Sequence, residues 1–60
     1  MKKQVMKIEM YDRTIVVYHT PGQRYEFKVY ELKGMRNPYH LDSFESFQEA
    51  SEFAIAYLYQ

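Results

Sequence analysis

The apolar residues of this 60-residue chain change their spacing once, and that change limits the folds open to it. From Met6 to Val29 they recur at every second position: Met6, Ile8 and Met10, then Ile15 and Val17, then Tyr25, Phe27 and Val29. From Phe47 onward the interval is three or four, through Ala50, Ala54, Tyr57 and Leu58. A period of two belongs to a strand buried on one face, and a period near 3.6 to an amphipathic helix. The expected fold is α+β, a three-stranded antiparallel β-meander with one C-terminal α-helix packed on one face (βββα).

Residues 5–11 alternate as a first strand. Asp12-Arg13 sits between two apolar runs and reads as a two-residue loop, pairing Met10 with Ile15, Ile8 with Val17 and Met6 with His19. A slip by one residue would turn Ile15 and Val17 to water, so the faces are well specified. Thr20-Pro21-Gly22-Gln23 is a turn, because Pro presets φ and Gly accepts the positive φ that follows. A third strand runs from Arg24 to Lys33, reached through a three- or five-residue connection. The phase change after Val29, where Tyr30 and Leu32 are both apolar, predicts a bulge or strand end near Tyr30. Residues 33–40 are expected to be irregular, since Gly34 and Asn37-Pro38 interrupt any period. Ser46 with Glu49 has capping-box spacing, and the helix should start between Asp42 and Phe47. Met6, Ile8, Met10, Ile15, Val17, Phe27, Ala50 and Ala54 should share one core.

Length leaves room for one domain, residues 1–60, near the lower limit for a self-supporting core. The chain has no cysteine, so neither disulfides nor a thiolate metal site can reinforce it. Seven Tyr and four Phe supply the bulk instead. Lys2 and Lys3 are followed by no apolar run, which argues against a signal peptide or membrane span. The expected setting is cytoplasmic, and the chain reads as a complete short frame of bacterial, phage or mobile-element origin.

Charge divides as sharply as period does. All eight Lys and Arg lie between Lys2 and Arg36, with four acids among them, and the remaining four acids follow Asn37. The first part carries a formal +4 and the second −4. Asp42, Glu45, Glu49 and Glu52 therefore have no basic neighbour in sequence, whereas solvated helices usually interleave Glu with Lys. Glu45, Glu49 and Glu52 form an acidic stripe, and Phe53 and the pair Phe44 with Ile55 fall on the two margins of the apolar helix face. An apolar strip beside polar groups has the composition of a binding patch. Arg36 and Tyr39 in the loop over 34–40 are further contact candidates.

No enzymatic motif is present. His19 and His40 lack the two further ligands that a zinc site needs, and no cofactor signature occurs. His40–Asp42 has no nucleophile placed by a recognised turn. Catalytic, cofactor and metal residues are thus expected to be none.

Three strands followed by a helix resembles the plan of AP2-type and integrase-arm DNA-binding domains. The stretch Leu41-Asp42-Ser43-Phe44-Glu45-Ser46-Phe47-Gln48-Glu49-Ala50 is similar to their strand-to-helix passage. That resemblance implies DNA read by a basic outer sheet face. Here the expected outer rows, Lys7–Tyr18–Glu26, Glu9–Val16–Lys28 and Tyr11–Thr14–Tyr30, balance lysine against glutamate, and phosphate contacts dominate nucleic-acid affinity. The reading that fits best is a non-enzymatic protein-binding module, an inhibitor or adaptor. Its partner would be a protein with a basic or amphipathic surface. A small nucleic-acid-binding domain using the outer sheet face and a self-associating structural protein, for instance a homodimer, are the alternatives.

Overall fold

The computed structural model describes residues 2–34 and 36–60. Met1, at the start of the basic N-terminal run, and Met35, in the segment expected to be irregular, lie outside the described residues. Four strands precede one helix: β1 (Lys3–Met10), β2 (Arg13–His19), β3 (Phe27–Leu32), β4 (Tyr39–Phe44) and α1 (Phe47–Leu58). The sheet order is β1-β2-β3-β4, with every neighbouring pair antiparallel. The fold is α+β with a C-terminal helix, and the expected three strands are corrected to four.

The additional strand was hidden by a bulge. His40 pairs with Tyr30 and Asp42 with Val29, leaving Leu41 as the extra residue. Leu41 and Phe44 both pack against the core at a spacing of three, which no alternating pattern would show. The irregularity beside Tyr30 is real, but it lies in the partner strand. β3 itself keeps phase, pointing Glu31 toward the helix and leaving Tyr30 and Leu32 on the other face.

Both expected registers are displaced by two residues. Ile8 pairs with Ile15 and Met6 with Val17, while Val17 pairs with Val29 and His19 with Phe27. An even displacement keeps every side chain on its face, so the core survived the error. The first hairpin turns at Tyr11-Asp12, not Asp12-Arg13, because Arg13 is taken into β2 to meet Glu31. The second connection is longer than expected, spanning Thr20 to Glu26, and leaves Tyr25 exposed in the loop. Thr20 N–H donates to the Glu26 carbonyl at 2.8 Å and closes that loop.

The helix starts at Phe47 behind the N-cap Ser46, whose backbone is extended. Ser46 Oγ accepts from the Glu49 N–H at 3.2 Å and donates to Glu49 Oε1 at 3.1 Å. Such a cap contributes about 1 kcal/mol. Ala50, Ala54 and Leu58 are buried against Ile15, Val17 and Val29, with Met6, Ile8, Met10 and Phe27 around them. Two alanines at the centre of the helix face let its backbone approach the sheet.

Candidate functional site

Glu31 is the one charged side chain buried among the described residues, at 3% exposure. An unpaired carboxylate there would cost several kcal/mol. Arg13 Nε donates to Oε2 at 3.3 Å, and the Tyr57 hydroxyl donates to Oε1 at 3.1 Å. The guanidinium also lies 4.9 Å from the centre of the Tyr57 ring. The bond to Glu31 holds the Tyr57 hydroxyl above its ordinary pKa of 10.0, with burial adding in the same sense. This triad ties β2, β3 and α1 together at one end of the sheet. It lies between two open clefts, one lined by Lys33, Arg36, Asn37 and Tyr39, the other by Asp12, Arg13, Lys33 and Gly34.

From this end an aromatic seam runs between α1 and β4. Phe53 stacks on Tyr57 at 6.0 Å between centroids and meets Phe44 at 5.3 Å. Four of the candidate contact residues, Arg36, Tyr39, Phe44 and Phe53, therefore lie along one side of the molecule. Phe44 and Phe53 are half-buried, covered by each other because β4 exists. Glu45 follows Phe44, and Glu49 stands one turn before Phe53 on the helix. Glu52 lies farther round, accepting a 3.2 Å hydrogen bond from Gln48. All three acids are exposed, and among the described residues none is within ion-pair distance of a Lys or Arg. Ile55 is not part of the seam; it lies on the opposite helix margin, 46% exposed.

The outer sheet face differs from the expected rows. Its rows are Gln4–Tyr18–Lys28–Ser43, Lys7–Val16–Tyr30–His40 and Glu9–Thr14–Leu32. Val16 on this face is fully buried and separate from the helix-side core. Tyr18 and Tyr30 pack edge to face at 5.7 Å, and the Lys2 ammonium lies 4.7 Å from the Tyr18 ring centre. Tyr11 takes no part, standing in the first turn. Glu26 has also left the face: it accepts from His19 Nε2 at 2.8 Å and from the Gly22 N–H at 3.3 Å, which hold its pKa below 4.5.

His40 Nε2 lies 2.9 Å from Ser43 Oγ, a pairing the sequence reading missed because it treated residue 40 as loop. The pair is exposed, and among the described residues no carboxylate orients the imidazole. No three His, Asp or Glu side chains converge as metal ligands would among the described residues. Nor is any described helix long and apolar enough to cross a membrane. No family model matches the chain, and no match is found among curated proteins or solved structures.

Proposed function

We propose that this chain is a small non-enzymatic protein-binding module, an inhibitor or adaptor, docking through the α1–β4 seam. The observation that carries this reading is the exposed carboxylates Glu45 and Glu49 beside Phe44, Phe53 and the exposed Tyr39, with Glu52 farther round the helix, none of the three in an ion pair with Lys or Arg among the described residues. An apolar strip with a polar rim suits a protein partner, and the unneutralised acids suit a basic or amphipathic one. Arg36 and Tyr39 extend the surface toward the Glu31 cleft. The test is capture from extract of the native host on immobilised protein, run in parallel with the triple variant Glu45→Lys, Glu49→Lys, Glu52→Lys. The wild type should retain one partner in a salt-sensitive manner and the variant should lose it. Equal retention by both would remove the acidic ridge from the interface.

A second reading gains from one correction. With Glu26 off the outer face, Lys2, Lys7 and Lys28 surround Tyr18, Tyr30 and His40 against Glu9 alone. That favours contact with single-stranded nucleic acid more than the expected rows did. Three lysines would give weak binding, with a log–log salt slope of about −2. A markedly steeper slope with nanomolar affinity would promote this face above the seam.

A further inference from the structure

The helix covers the sheet unevenly. α1 packs on β2, β3 and β4, while β1 lies beyond it at the sheet edge. β1 still points Met6, Ile8 and Met10 to the helix side, where they are only half-buried. Phe53 and Ile55 stand roughly 200° apart around α1. Since Phe53 meets Phe44 of β4, Ile55 faces the β1 side. An apolar strip of Met6, Ile8, Met10 and Ile55 is therefore left uncovered beside a free strand edge, whose backbone groups can pair with another strand.

The sequence of that edge is complementary to itself in one register. Antiparallel pairing about Ile8 sets Ile8 against Ile8 once, on the symmetry axis, and sets Met6 against Met10 and Lys7 against Glu9 twice each. Centring on Lys7 would oppose two lysines, and centring on Glu9 two glutamates, both of which are destabilising. The bulge between Gln4 and Met6 confines regular pairing to Met6–Met10. Lys7 and Glu9 are exposed, and within one chain they approach only to 4.0 Å. We infer that two copies of this chain join antiparallel along β1, in the register centred on Ile8. One sheet then crosses both copies, the two strips of Met6, Ile8 and Met10 become continuous, and Ile55 of each helix borders them. This interface lies across the sheet from the α1–β4 seam and leaves the seam free in both copies.

Analytical ultracentrifugation of the intact chain and two charge variants tests the inference, with circular dichroism confirming that each is folded. The wild type should dimerise. Lys7→Glu and Glu9→Lys should each raise the dissociation constant about tenfold or more, because both symmetric pairs become like-charged. An equimolar mixture of the two variants should recover association as a heterodimer. Within each variant residues 7 and 9 carry like charges, so recovery reports pairing between chains. A wild type that stays monomeric up to about 1 mM overturns the inference. So does a variant that dimerises as well as the wild type, or a mixture that remains monomeric.

Discussion

Tyr57 and Glu31 meet across the helix–sheet boundary, the phenol donating a 3.1 Å hydrogen bond to a carboxylate that is otherwise held by Arg13. This bond gives a buried charge its second partner, and removing it leaves one oxygen of Glu31 unsatisfied. Tyr57→Phe should lower stability by about 1.5 kcal/mol, the low end for a hydrogen bond to a charged group, since the adjoining clefts admit water. The raised Tyr57 pKa adds a pH signature. Its stabilisation is complete below the unfolded value of 10.0 and disappears as pH rises through the higher folded value. Urea unfolding at pH 7 and across the alkaline range measures both, and an unchanged midpoint in the variant would contradict the role given to Tyr57.

The acid side rests on Glu26. His19 and the Gly22 amide hold its folded pKa below 4.5, so its stabilisation is present above the unfolded value and is lost as pH falls through the folded one. Glu26→Gln should flatten this part of the acid-stability profile. A carboxyl resonance of Glu26 titrating at or above 4.5 in the folded protein would show that the His19 and Gly22 contacts to this carboxylate are absent in solution.

Tyr11 holds φ at +56° in the first turn and is fully exposed. A residue with a side chain pays a steric penalty there that glycine does not. Tyr11→Gly should therefore raise the melting temperature by several degrees, corresponding to about 1 kcal/mol in a domain of this size. A decrease would mean that the Tyr11 ring makes a stabilising contact in solution.

The two helix margins should respond differently to charge. Phe53 packs between Phe44 and Tyr57, so Phe53→Glu removes part of a burial worth about 1.5–3 kcal/mol and adds a poorly solvated carboxylate. Extensive unfolding is expected by circular dichroism, with Phe53→Leu retaining the fold. Ile55→Glu, at an exposed position, should shift monomer stability by less than about 0.5 kcal/mol. Equal losses from Phe53→Glu and Ile55→Glu would contradict the placement of the margins.

The period of the apolar residues carried three of the four strands, the helix and most of the core, because the face of a strand residue depends only on parity, and the Ser46–Glu49 spacing carried the cap. Register depended on where the first turn lies, and composition misled there. Asp12-Arg13 has turn chemistry, yet Arg13 is drawn into β2 by a carboxylate 18 residues away. β4 was illegible because Leu41 interrupts its alternation and Pro38 precedes it. Without β4, Phe53 on one margin and Phe44 with Ile55 on the other both looked uncovered, whereas Phe44 belongs with Phe53 and each covers the other. Glu26 was assigned to the outer face because the third strand was expected to begin at Arg24, whereas β3 begins at Phe27 and Glu26 closes the preceding loop. The exposure of Glu45, Glu49 and Glu52 was readable because it rests on composition and helical spacing, not on strand pairing.

The most direct test of the seam as the binding surface is a chemical-shift map of the isotopically labelled protein, free and bound to the partner captured from host extract. Binding through the seam predicts the largest changes at Tyr39, Phe44, Glu45, Glu49 and Phe53, with Lys7, Tyr18 and Lys28 little affected. Changes concentrated on Tyr18, Lys28 and Tyr30, with the seam unmoved, would contradict it.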